Sequence, residues 1–279
     1  TIVDLVICMP GNADNDAFDV ARDIKGKFPN IHCVVLTPFS HGITKRMQNE
    51  DLSIFDYVFC WLGNTNLILS IIKLIEDKMN LEHDIQEAGV QMILLVEDSI
   101  RFYSSILPNL YNYILEQSKN FSKEALNRHA ATMRMRGRPK VVLARTYEEA
   151  KKLYDKYSDN TLGVISDARF PLKSAAKAFG NVVDENVQPK HATDTFGREK
   201  CPDAGLQLFR YIRKNDSFVP LILESSESEN RAKAEAEGFR FVDKNSKKMS
   251  VDLRGLRVIN KSFGDFIFRD PKTHEEIMR

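Results

Sequence analysis

Four short apolar runs in the second half of this chain each end in residues capable of chemistry. Leu94-Leu95-Val96 is followed by Glu97-Asp98, Val164-Ile165-Ser166 by Asp167, Leu221-Ile222-Leu223-Glu224 by Ser225-Ser226, and Phe241-Val242-Asp243 by Lys244. Two or three carboxylates converging on an open edge suit magnesium, a hard cation that takes few protein oxygens and keeps several waters. A carboxylate can also take a phosphoryl group to give an aspartyl phosphate, which requires positioning and positive charge on the transferring oxygens. Read this way, Asp167 is the acceptor, Mg²⁺ and Lys244 supply charge, and Ser225 hydrogen-bonds the new phosphoryl oxygens and draws its loop inward.

Those residues meet only if the runs are parallel strands of one sheet. In open α/β sheets, ligands sit beyond the carboxyl ends of the strands, where the strand order reverses. The pattern is the expected one, with short β-branched runs alternating with helix-length amphipathic segments. In the second half the strands are Met92 to Val96, Val141 to Ala144, Leu162 to Ile165, Val219 to Leu223 and Phe239 to Val242. Between them lie a long helix starting near Ile100, a helix from Tyr147 to Tyr157, an insertion over 171–203 and a helix from Ala204 to Lys214. Gly180, Pro189 and Gly197 make the insertion read as a surface excursion. The first half has strands at Val3 to Cys8, His32 to Leu36 and Tyr57 to Cys60. Its helices run over Asp16 to Lys25 and Thr65 to Met79, with a weakly marked one over Thr44 to Asp51. A linker is expected from Leu81 to Gly89. Phe28 to Thr37 and Asn215 to Ser225 share a form, a turn and then an apolar strand ending in a hydroxyl, and read as a weak internal repeat.

Taken together, Leu94 to Ser99, Val164 to Asp167, Leu221 to Ser226 and Phe241 to Lys244 closely resemble the receiver domain of two-component response regulators (CheY-like). The match covers about Val90 to Asn260. The resemblance implies that Asp98 and Asp167 ligate Mg²⁺, that Glu97 acts through water, and that the backbone carbonyl of Arg169 completes the protein ligands. It implies Asp167 as phosphoacceptor, Ser225 as the switch hydroxyl, Phe241 as the aromatic switch position and Lys244 as the phosphate partner. The partner it implies is a histidine kinase or phosphotransfer protein. This chain departs from the family where Asn245 replaces the usual proline, where the first helix is lengthened to about Arg138, and at the 171–203 insertion.

The first half resembles the later part of a second receiver. Asp4 to Pro10 stands for its acceptor strand, His32 to Thr37 for its hydroxyl-bearing strand and Tyr57 to Trp61 for its last. Alignment puts Met9 or Val6 at the acceptor position and Trp61 or Leu62 at the lysine, so no phosphorylatable carboxylate remains. The expected architecture is therefore α/β, with two flavodoxin-like doubly wound parallel sheets, the first incomplete. The expected divisions are 1–84, 90–260 and a tail over 261–279. The arrangement, with the tail Phe263 to Pro271, also resembles the amino-terminal region of some bacterial phosphoenolpyruvate synthase or pyruvate phosphate dikinase-like proteins. With Thr1 opening directly on an apolar run, a fragment of something longer is expected, its output or enzyme domain lying elsewhere.

Each residue has a plainer reading. Glu97-Asp98 can cap the following helix, Asp167 can be a loop aspartate, Lys244 a surface lysine and Ser225 a cap; their joint placement at strand ends favours a site. The run Arg134 to Lys140 reads as a solvated helix end. The six histidines show no ligand spacing, and Trp61 reads as packing. With 40 basic against 39 acidic residues the net charge is +1, which gives no reason to expect nucleic acid or an anionic membrane. Four scattered cysteines, with no zinc or disulfide spacing, fit a reducing cytoplasm. Two other functions stand beside the receiver: an Mg²⁺-dependent phosphohydrolase, whose second catalytic aspartate would fall at Arg169, and a structural scaffold. A homo-oligomer is open because the truncated first sheet has an edge to cover.

Overall fold

The computed structural model describes residues 3–10, 16–38, 52–123, 125–173, 194 and 198–244, with the short strands at 268–269 and 276–278. The first half holds β1 (Leu5–Cys8), α1 (Ala17–Lys27), β2 (His32–Thr37), β3 (Tyr57–Cys60) and α2 (Asn66–Ala88). Its three strands are parallel, in the order β1-β2-β3. The second half holds β4 (Met92–Val96), α3 (Ile100–Lys123), α4 (Arg128–Arg136), β5 (Lys140–Ala144), α5 (Tyr147–Tyr157) and β6 (Thr161–Asp167). Then come β7 (Phe170–Pro171), β8 (Lys200–Cys201), α6 (Ala204–Asn215), β9 (Leu221–Ser225), α7 (Glu229–Ala236) and β10 (Arg240–Asp243). A final antiparallel pair joins β11 (Phe268–Arg269) to β12 (Glu276–Met278).

The five-stranded sheet runs β10-β9-β6-β4-β5, all parallel. Counted along the chain this is the 2-1-3-4-5 order of the flavodoxin-like doubly wound fold, with its reversal between β4 and β6. The first sheet matches its 3-4-5 part, so β2 ending in Thr37 takes the place that β9 ending in Ser225 takes in the second. Both faces of the larger sheet are covered, which explains its unbroken apolar strands. In β4, Ile93 and Leu95 join the core shared with the first sheet, α2 and α3, while Met92, Leu94 and Val96 face the core under α5 and α6.

Two helices stand between the sheets, and each finishes the other half's edge strand. From α3, the Tyr103 hydroxyl donates to the Val58 carbonyl and Ser104 Oγ accepts the Cys60 N–H at 2.9 Å, which occupies the outer edge of β3. From α2, the Asp77 carboxylate accepts the Val141 N–H at 2.9 Å on the outer edge of β5. An uncovered row of such groups is a template for pairing with another chain. Here both rows meet side chains.

Several sequence expectations are corrected. The segment 81–89 is not a linker; it is the last turns of α2, which closes on Gly89 at φ 60°. It stays helical because Leu81 and Ile85 continue the apolar stripe into the second core. The extension of the first helix is a separate element, α4. The basic run is not simply a solvated end, because Arg138 and Lys140 are buried. Arg138 forks onto Asp77 at 2.6 and 3.1 Å, Tyr111 donates to the same carboxylate at 2.9 Å, and Lys140 pairs with Asp84 at 2.6 Å. The proposed helix over 44–51 lies outside the described residues. Trp61 packs, partly buried, against the first core.

His32 also has a partner, the Asp56 carboxylate at 2.9 Å, which further accepts from the Cys33 N–H at 3.0 Å and Lys25 at 3.0 Å. Burial works to raise the pKa of Asp56, but His32, the Cys33 amide and Lys25 outweigh it and hold it at about 2. A depressed carboxylate contributes stability that is present above its unfolded pKa and lost as pH falls through its folded one. Asp56→Asn should therefore cost roughly 2 kcal/mol at neutral pH. It should also flatten the loss of stability between about pH 4 and pH 2. Denaturant titrations across that range check both; an unchanged acid limb in the variant would remove Asp56 as its cause.

Candidate functional site

The ends of β4 and β6 lie side by side at the reversal point, with Val96 paired to Ser166 and Asp167 to Glu224. Beyond them, one oxygen each from Glu97, Asp98 and Asp167 lies within 4.8 Å of the others. The structure thus brings together the three carboxylates that the sequence singled out. Lys244, at the end of β10, inserts among them: its ammonium contacts Glu97 Oε2, stands 2.9 Å from Asp167 Oδ1, and rests 4.4 Å from the centre of the Phe102 ring. The Lys244 N–H donates to the Ser225 carbonyl at 3.0 Å, so the last two strands place this amine through their own backbone.

Burial dominates the electrostatics. It pushes Glu97 up to about 8 against the opposing pull of Lys244, and Asp98 up to about 7 against that of Lys200. Glu224, which sequence reasoning did not single out, is also driven by burial to about 7. For Lys244 burial acts the other way, but the charges of Asp167, Glu97 and Glu224 overcome it and raise its pKa. Burial is thus the main cause of the raised carboxylate pKa values, with the neighbouring carboxylates adding to it and the two lysines opposing it.

The capping alternative holds in part. Glu97 Oε1 accepts the Ser99 N–H at 3.0 Å, and Ser99 Oγ accepts the Phe102 N–H at 3.4 Å, so these two residues start α3. Asp98 does neither. It is fully buried, and its Oδ1 has no hydrogen-bond donor among the described residues. Three carboxylate oxygens within 4.8 Å of one another could hold a hard divalent cation such as Mg²⁺, whose bonds of about 2.1 Å put adjacent ligand oxygens about 3.0 Å and opposed ones about 4.2 Å apart, so the carboxylates would draw in by up to about 2 Å.

The other expected residues are nearby but otherwise engaged. Ser225 Oγ accepts from the Glu227 N–H at 3.1 Å and from Asn230 Nδ2 at 2.9 Å, turning into its own loop. Phe241 is half-buried beneath the Arg231 guanidinium, 4.8 Å from its ring centre. Arg169 sits in the turn between β6 and β7, its side chain paired with Glu227 at 2.8 Å. This links the turn after Asp167 to the loop that carries Ser225. Over the same turn lies the first turn of α6, whose Gly205 N–H donates to the Ala168 carbonyl at 3.1 Å. A Cβ there would stand 2.3 Å from the Asp167 carbonyl oxygen, so only glycine lets the helix seat.

The described end of the insertion is not a mere surface excursion. Asp194 and Arg198 are buried, and Lys200 Nζ lies 2.8 Å from Asp98 Oδ2. Nothing local in the sequence marked Lys200; only the pairing of β8 with β7 brings it to the acids. In the first sheet, by contrast, β1 is followed by Met9, which is 60% exposed.

The four cysteines are free thiols, and among the described residues no helix is long and apolar enough to cross a membrane. Compared with known proteins, the chain matches no family model and no curated sequence.

Proposed function

We propose that the second half is a phosphorylation-controlled receiver that takes a phosphoryl group on Asp167 from a histidine kinase or phosphotransfer protein and signals to a linked or partner output. One observation carries this reading. Glu97 and Lys244, 147 residues apart, meet in one buried cluster with Asp98 and Asp167 at the reversal point of the sheet. Glu97, Asp98 and Asp167 would hold Mg²⁺, which when bound supplies positive charge to the transferring oxygens. An Asp167 carboxylate oxygen bonds to phosphorus as the donor's bond to phosphorus breaks, and the donor leaves with that electron pair. Lys244 pairs with the new phosphoryl oxygens. Ser225 leaves Asn230 and the Glu227 amide to hydrogen-bond them, and the Arg169–Glu227 pair carries the shift between the two loops.

The test is intact-protein mass after incubation with acetyl phosphate and Mg²⁺. A single phosphoryl adduct is expected, absent without metal and absent in Asp167→Asn. An adduct that persists in the variant rejects Asp167 as acceptor, and no adduct in the parent protein rejects the receiver.

A further inference from the structure

The acidic pocket holds a second amine that the receiver chemistry above does not use. Lys200 Nζ is 2.8 Å from Asp98 Oδ2, and the Lys200 side chain is only 17% exposed. Its position is built. β8 pairs antiparallel with β7, with Phe170 opposite Cys201 and Pro171 opposite Lys200, three residues beyond Asp167. A buried clasp lies just upstream, where the Arg198 N–H and Nε donate to Asp194 Oδ1 and Oδ2 at 2.7 and 2.6 Å. The Asp194 N–H donates back to the Arg198 carbonyl at 2.8 Å. Lys200 thus sits in the pocket as the ion-pair partner of the buried Asp98 carboxylate.

Charge decides what this amine does. A dication entering with Lys200 in place would set two cations against the buried Asp98 carboxylate, where they repel each other, whereas a dication entering as Lys200 withdraws takes over its charge on Asp98. Uncompensated charge in a buried site is costly. Lys244 contacts Glu97 and Asp167, so the amine that must yield is the one on Asp98.

We propose that Lys200 is a specificity-determining residue of the cation site, an internal ammonium on Asp98 that a divalent cation must displace, so that cation entry and release of the 198–201 arm are one event. This rests on the receiver reading for the identity of the cation. The arm senses the metal because its lysine occupies the metal's place.

The experiment is Mg²⁺ affinity by calorimetry on the full chain, for the parent protein, Lys200→Met and Lys200→Gln, beside hydrogen exchange at 198–201 with and without Mg²⁺. Removing the competitor should tighten Mg²⁺ binding on the order of 5- to 150-fold, the usual range for a coupled pair of sites. In the parent protein Mg²⁺ should speed exchange in the arm. Unchanged or weaker affinity in both folded variants overturns the inference and leaves the receiver reading to the acetyl phosphate labelling. Tighter binding without labelling of any protein supports the role of Lys200 and rejects the receiver. If none of the three proteins binds Mg²⁺, the inference and the metal assignment fall together.

Discussion

Lys244→Met should slow phosphoryl labelling of Asp167 by about 10²- to 10³-fold, the usual consequence of removing one preorganised positive or hydrogen-bonding group from charge that develops in a transition state. The reason is geometric. This ammonium stands 2.9 Å from Asp167 Oδ1 and is held there by the β9–β10 backbone and by the ring of Phe102. Breaking a buried ion pair by removing one partner commonly costs about 3–5 kcal/mol of stability, because the other charge is stranded. Here two carboxylates lose their partner: Asp167, which is partly exposed, and Glu97, which has an exit. Burial already sets Glu97 at about 8, so at neutral pH it keeps a proton once its lysine is gone, and the fold survives the change. Labelling rates from intact mass at pH 7, on protein whose thermal unfolding remains cooperative, check the expectation; labelling at the parent rate would remove Lys244 from the chemistry.

The largest loss of stability is expected far from that pocket, at Asp77. Its carboxylate accepts both prongs of Arg138, the Tyr111 hydroxyl and the Val141 amide, and it is fully buried. Arg138 remains charged in all conditions, since burial lowers its pKa less than Asp77 raises it. Unlike Glu97, it cannot shed its charge when its partner goes. Asp77→Ala should therefore cost about 3–5 kcal/mol. For a chain of this size that lowers the melting temperature by on the order of 10 °C. Calorimetric unfolding of the two proteins measures it, and a loss below about 1 kcal/mol would show that Arg138 finds another acceptor.

The sequence was most legible where the information is local. β4 and β5 sit where their β-branched runs put them, because a strand buried on both faces must be continuously apolar. The residues at the four strand ends were legible for the same reason, since the end of an apolar run is a place in space once the sheet is parallel. Where the deciding partner is remote, reading failed. Leu81 and Ile85 sit among Glu82, His83, Asp84, Gln86 and Glu87, so the end of α2 looked like a polar linker until a second core was there to receive two apolar side chains. Arg138 looked solvated because Asp77 lies 61 residues away. Lys200 has no local signature at all; a pair of two-residue strands delivers it. Glu224 was overlooked because it sits inside the run that announces Ser225, and its register with Asp167 exists only in the folded sheet.

The crossed capping of β3 by α3 and of β5 by α2 has a consequence for inheritance. By chain order each helix belongs to one half, yet its polar side chains complete the border of the other. A recombination event that replaced either half with another unit of the same topology would have to bring a hydroxyl pair like Tyr103 and Ser104, or an acid like Asp77, at the same turn of the same helix. The two halves can thus be exchanged only together, because each supplies side chains that close the other's sheet edge.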